Sequence, residues 1–91
     1  FVERVRAGAG LELRVLTGRE EARLSALGVS AGCPDADGVV GDLGGLSLEL
    51  VHLHGGEPGA GITLPLGPFA LGAADGFDVG AVRARIAKVL A

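Results

Sequence analysis

The chain predicts a mixed α/β fold, an α+β piece in which a helix leads into three strands and a closing helix. Three observations carry that prediction. Thr17 stands three residues before Glu20 at the head of an apolar-periodic stretch, the pattern of a helix capping box. Short apolar runs punctuated by glycine fill residues 38–66, as strands joined by tight turns do. Beyond Asp78, the residues Val79, Val82, Ile86, Val89 and Leu90 follow helical spacing.

Taken in order, residues 1–7 read as the tail of a helix ended by Gly8 and Gly10. Residues 11–16 alternate, with Leu11, Leu13 and Val15 on one face and Glu12 and Arg14 on the other, which predicts a half-buried strand. The capped helix then runs from Thr17 through Leu24 and Leu27 and fades around Gly32. Residues 34–38, Pro-Asp-Ala-Asp-Gly after Cys33, form a breaker cluster, expected to be a hinge between two domains. Strands are expected at 39–43, 46–54 and 61–66, with residues 55–59 as a turn and Pro65 and Pro68 ending the third strand. Asp78 caps the last helix. Phe1 in place of Met, and a helical pattern reaching the last residue, are read as cuts through a longer protein. The expected organisation is residues 1–33 as the end of a first domain, 34–38 as hinge, and 39–91 as the start of a second.

Composition narrows the function. Ninety-one residues make one small domain or part of a larger one. Glycine, at 17 residues, far exceeds the usual share of about 7% and has no Gly-X-Y period, so it marks turns and close backbone approach. A net charge of −3 with 3% aromatics argues against nucleic acid, which asks for a basic face and stacking rings. The same charge suits a long polyanion poorly. No apolar run nears the roughly 20 residues of a membrane helix, and no signal-peptide pattern opens the chain. The single Cys33 cannot close an internal disulfide, so a reducing, cytoplasmic setting is expected.

The most informative stretch is residues 38–50, GVVGDLGGLSLEL. Asp42 ends one apolar strand, Gly44 and Gly45 form the turn, and Ser47 and Glu49 open the next strand on a shared face. Glycines let backbone N–H groups approach a phosphate, and Mg²⁺ takes one or two carboxylates beside phosphate oxygens. Spacing alone leaves this reading level with an ordinary Gly-rich hairpin, its Asp accepting N–H groups of its own turn and its Glu paired across the strands. Glu20 is accounted for by the capping box. Glu21 is left without a local role, on a stripe with Ser25 and Gly28; by spacing alone it is a solvated acid of the first helical turn. Arg19 and Arg23, one turn apart, could face an anionic ligand, but pairing with acids is the preferred reading. His52 and His54 are too few for a closed metal site and are expected at a solvent-facing strand end. Cys33 has no companion that would make it a nucleophile.

Together, TGREEARLSALGV, GVVGDLGGLSLELV and ITLPLG resemble the exopolyphosphatase / guanosine pentaphosphate phosphohydrolase (Ppx/GppA phosphatase) family, over about residues 11–71. The Asp-x-Gly-Gly turn alone would match the wider actin-like ATPase and sugar-kinase superfamily; three motifs in order are more specific. The resemblance implies a two-domain, ribonuclease H-like fold of the actin/sugar-kinase type, with the active site in the cleft between domains. It implies hydrolysis of a terminal phosphate from polyphosphate or guanosine pentaphosphate with Mg²⁺. On this reading Glu21, the second Glu of GREEAR, is the general base for the attacking water. Asp42 helps hold Mg²⁺, Gly44, Gly45 and Ser47 contact phosphate, and Glu49 orients metal-bound water or the nucleophile. The expected partners are the phosphorylated substrate, the rest of its own chain and a second copy in a homodimer, with neither nucleic acid nor membrane.

Two departures bear on this. The family pattern has a third glycine where this chain has Leu46, a residue that cannot easily adopt φ > 0 and would crowd a phosphate. The family's first phosphate loop, another Asp-x-Gly followed by an Arg, has no match here, so the 91-residue piece is expected to be inactive alone. Leu46 and the acidic balance keep open a degenerate, non-hydrolysing relative that binds phosphate or nucleotide as a sensor. Retention of Glu21, Asp42, Ser47 and Glu49 opposes it. A third possibility, an actin-like kinase or ATPase, is disfavoured by the GREEAR helix.

Overall fold

Thr17 opens its helix as the capping box requires: its hydroxyl accepts from the Glu20 N–H, and the Glu20 carboxylate accepts from the Thr17 N–H at 2.8 Å. From there the helix runs to Gly32. The computed structural model describes residues 1–73 and 76–91. Its elements are α1 (Val2–Ala9), α2 (Gly18–Gly32), β1 (Gly38–Leu43), β2 (Leu48–His54), β3 (Glu57–Leu64) and α3 (Val79–Leu90). The strands form one antiparallel sheet in the order β1-β2-β3, and α2 lies across one face of it.

The first helix is longer than expected. Gly8 stays inside α1, and Gly10 ends it in the left-handed conformation, φ 66°, with its N–H bonded to the Arg6 carbonyl. The strand expected at 11–16 does not form. Alternation decides which residues share a face, but a strand also needs a ladder partner. None is supplied here, and Val15 is 78% exposed. The charged residues of the segment pair instead with the helices on either side, Glu12 with Arg6 and Arg14 with Glu20.

The three expected strands are present with shifted ends. Residues 46 and 47 belong to the β1–β2 loop rather than to β2. The turn expected over residues 55–59 contracts to Gly55 and Gly56, so β3 begins at Glu57 and takes in Pro58. Both glycines have positive φ, 54° and 79°, which a two-residue hairpin turn demands. β3 is an edge strand, where a proline is tolerated. It ends at Leu64, just before Pro65.

The core is small and sits between α2 and the sheet. Ala22, Ala26, Val51 and Leu53 are buried there, with Ala36 and Val40 packed beside them. Leu24 points outward and is 52% exposed. Small residues win this interface because α2 lies very close to the sheet. A Cβ at Gly61 would stand 3.0 Å from both Ala22 Cβ and Val51 Cγ2, and one at Gly18 would overlap the Thr63 side chain.

Residues 34–38 link α2 to β1 and are pinned by the β2–β3 hairpin tip. Gly56 N–H donates to the Ala36 carbonyl, Gly55 N–H donates to Asp37 Oδ1, and Ser30 Oγ donates to the Gly56 carbonyl. Residues beyond β3 return to the other end of the sheet, where Leu66 is buried. Asp78 caps α3 by accepting from the Ala81 N–H. The apolar stripe of α3 borders an apolar groove with Leu43, Leu48, Leu66, Pro68 and Phe77.

Two predictions follow from these contacts. Gly56→Ala strains a residue at φ 79° and drives its Cβ into the Pro34 carbonyl, so urea unfolding should show a loss of about 2 kcal/mol or more. The second concerns acid. The Thr17 N–H, then Arg14 and the Thr17 hydroxyl, lower the Glu20 pKa from 4.5 to about 2. A carboxyl with a depressed folded-state pKa stabilises the fold above pH 4.5, and that contribution is lost as pH falls toward 2. Melting temperatures between pH 5 and 2 should therefore fall less steeply in Glu20→Gln than in the unsubstituted chain.

Candidate functional site

β2 is the central strand, and its buried face carries Glu49, Val51 and Leu53 toward α2. Apolar residues at two of these positions are ordinary. Glu49 is not: it is 2% exposed, and its Oε1 is buried with no hydrogen-bond partner among the described residues. A buried carboxylate oxygen without a donor or cation carries a desolvation cost that nothing around it offsets.

Register places the other groups around it. Asp42 on β1 is directly opposite Glu49, and Thr63 on β3 is opposite it on the other side. Directly opposite residues in an antiparallel pair hold their Cβ atoms about 4.5–5.5 Å apart on one face. The two expected carboxylates are thus neighbours at one end of the sheet. Asp42 also accepts a short 2.5 Å hydrogen bond from Ser25 Oγ of α2. That bond ties the helix to the same end of the sheet.

Glu21 lies one turn before Ser25 on the same helix flank, so it overlooks the Asp42 side of this end. Its side chain is exposed and makes no hydrogen bond or ion pair among the described residues. Glu21, Asp42 and Glu49 do not converge tightly: among the described residues, no group of three or more His, Cys, Asp or Glu could hold an ion. Asp42 and Glu49 alone make a hard, two-carboxylate pair, which is what Mg²⁺ takes from a protein when phosphate and water complete its shell. The orphaned Oε1 of Glu49 fits such a cation.

Gly44, Gly45 and Ser47 sit on the loop that joins the strands of Asp42 and Glu49. The Gly44 N–H is closed onto the Ser47 carbonyl at 2.9 Å, so in this structure it points into the loop. The loop is braced from residues 67–69: Gly67 N–H donates to the Leu46 carbonyl and Phe69 N–H donates to the Gly45 carbonyl. A Cβ at Gly67 would overlap the Leu46 and Gly45 backbone. Leu46 itself is free of the strain expected of it. No non-glycine residue described has positive φ, and the Leu46 side chain is 67% exposed.

Two contributors went unassigned in the sequence. Ser25 was visible only as part of the Glu21 stripe; its bond to Asp42 depends on where α2 lands. Gly67 belongs to the ITLPLG stretch, but nothing in its spacing reveals that it backs onto the loop. His52 and His54 are on the exposed face of β2, as expected, and His54 Nδ1 lies 3.0 Å from Asp37 Oδ1. Cys33 is an exposed free thiol at the end of α2. No helix among the described residues is long and apolar enough to cross a membrane.

Comparison with known families agrees with these features. The model of the Ppx/GppA phosphatase family matches residues 1–77, a span that includes Glu21, Asp42, the Gly44–Ser47 loop, Glu49 and Gly67. The chain belongs to that family.

The buried carboxylate gives a direct test. Glu49→Gln keeps the shape and removes an ionisable group from a buried position. Without divalent cation, this variant should melt at a higher temperature than the unsubstituted chain, a signature of a residue kept for a site at the expense of stability.

Proposed function

We propose that this member of the Ppx/GppA phosphatase family forms part of a phosphoanhydride hydrolase that removes a terminal phosphate from polyphosphate or guanosine pentaphosphate. The carrying observation is the buried, unpartnered Glu49 oxygen paired in register with Asp42, beside a glycine loop. An ordinary Gly-rich hairpin would leave its acids in solvent or paired to cations. In the ribonuclease H-like, actin/sugar-kinase arrangement, residues 1–33 complete the first domain, 34–38 cross over and 39–91 begin the second, with α2 docked on the second domain's sheet through Ala22 and Ala26. α2 then carries Glu21 to the wall of the cleft. A single free thiol suits a reducing cytoplasm.

The roles follow from what each group can do where it stands. Asp42 and Glu49 hold Mg²⁺, and the Ser25 hydroxyl orients Asp42. Bound there, the ion would neutralise charge on the substrate's phosphate oxygens, answering the poor match between a polyanion and a chain of net charge −3. Ser47 donates its hydroxyl to phosphate, and Gly45 and Gly44 let the chain approach without a side chain in the way. The Gly44 N–H becomes available only if the loop releases the Ser47 carbonyl. Glu21, exposed and uncommitted, accepts the proton of the attacking water on its carboxylate. Positioning and charge neutralisation supply most of the catalysis in phosphoryl transfer, and a general base adds about 10²–10⁴-fold.

The test is phosphate release from polyphosphate and from guanosine pentaphosphate, with Mg²⁺, by this chain extended to include the family's first Asp-x-Gly loop. Glu21→Gln in that protein should lower the rate by about 10²–10⁴-fold with little change in KM. The 91-residue chain alone should release none. Substrate binding without release in the extended, unsubstituted protein would establish the sensor reading instead.

A further inference from the structure

The two flanks of α2 are chemically opposite. At about 100° per residue, Glu21 and Ser25 fall on one side of the buried Ala22. Arg19 and Arg23 fall on the other. The acidic flank faces β1, where Ser25 meets Asp42. The arginine flank faces β3, where Arg19 and Arg23 line a cavity of about 370 Å³ with Gly59, Ala60, Gly61 and Ile62.

Sequence reasoning preferred acids as partners for these arginines. The structure supplies none: among the described residues, neither Arg19 nor Arg23 makes an ion pair. Glu20, which lines a neighbouring cavity with Arg23, is already engaged by Arg14, the Thr17 N–H and the Thr17 hydroxyl. Among the described residues, no carboxylate lines the cavity.

The opposite wall is unusual in its own right. β3 is an edge strand, so part of its backbone faces away from the ladder. The β2–β3 register breaks between Val51 and Leu53, whose partners are Gly61 and Pro58. Gly59 and Ala60 therefore stand together opposite His52, as in a β-bulge, which leaves backbone groups unpaired. Gly59 and Gly61 leave the backbone open there, between the side chains of Ala60 and Ile62. Two guanidinium groups, each able to make paired N–H···O bonds to a phosphate, thus line a cavity with a glycine-bearing strand edge.

We propose that Arg19, Arg23 and the bulged edge of β3 form a second phosphoanion subsite, on the flank of α2 opposite the Asp42–Glu49 pair. Its occupant is an unreacting phosphate group. The choice of phosphate over other anions rests on the phosphatase reading; the presence of an anion site does not. A helix with its side chains is about 10 Å across, so only a chain of several phosphates could reach both flanks. The subsite would then favour long phosphate chains over inorganic phosphate.

Amide chemical shifts of the ¹⁵N-labelled 91-residue chain, titrated with inorganic phosphate and separately with polyphosphate, test this. Shifts are expected at Gly59, Ala60 and Gly61, with apparent affinity weakened about tenfold or more in Arg19→Ala/Arg23→Ala. Arg19→Lys/Arg23→Lys should retain part of the binding. Both arginines are exposed, so the melting temperature should be unchanged in either variant. Polyphosphate binding about tenfold tighter than inorganic phosphate assigns the subsite to a substrate chain; equal affinity assigns it to a separate phosphoanion. No shifts at residues 59–61, or shifts that persist in the alanine variant, would overturn the subsite. Shifts confined to residues 44–47 would also overturn it while leaving the proposed hydrolase intact. Shifts at 59–61 with no phosphate release from the extended protein would separate the two the other way.

Discussion

The close seating of α2 on the sheet is the constraint from which the rest of the molecule follows. It depends on an interface of alanine and glycine: Ala22 and Ala26 from the helix, Gly61 from β3, and Gly18 over Thr63. Larger residues would hold the helix away. Because it sits close, Glu49 is sealed beneath it, Ser25 reaches Asp42, and the two helix flanks face different strands. Burial of Val51 and Leu53 contributes about 1.5–3 kcal/mol for each side chain, in a core of few members. The capping box and the pinned hairpin tip supplement that core by fixing where α2 begins and where the link to β1 runs.

Glu49 shows how stability and function pull apart. In a small core, a leucine at that position would continue the apolar face begun by Val51 and Leu53. A carboxylate there adds no packing advantage and leaves one oxygen without a partner. Such a group persists in a marginal domain when something outside the folded chain completes it. The neighbouring Asp42 has its own donor in Ser25, so the two acids are not equivalent. One accepts a hydrogen bond from a hydroxyl and is partly open, and the other is buried with an oxygen that no described residue satisfies.

Much of this was legible in the sequence where a local rule decides. Thr17 and Glu20 announced the start of α2, and Asp78 the start of α3. The rule failed at residues 11–16, where a correct alternation lacked a strand to pair with. Which residues of α2 are buried was not legible either: the close approach of helix and sheet favours Ala22 and Ala26, and Leu24 is 52% exposed. Of the candidate site, residue identities and their grouping at one turn were readable. The cross-strand register of Asp42 with Glu49, the Ser25 bond and the brace from Gly67 were not, since each depends on how distant segments dock.

Leu46 illustrates the same limit from the other side. As a sequence feature it looked like damage to a phosphate loop, since a third glycine implies a position needing φ > 0. In the fold, the loop is held by its backbone, through the Leu46 and Gly45 carbonyls that accept from Gly67 and Phe69. The side chain points to solvent and φ is negative, so no glycine is required for the conformation seen. The leucine is therefore compatible with the folded loop, whose conformation its backbone bonds hold.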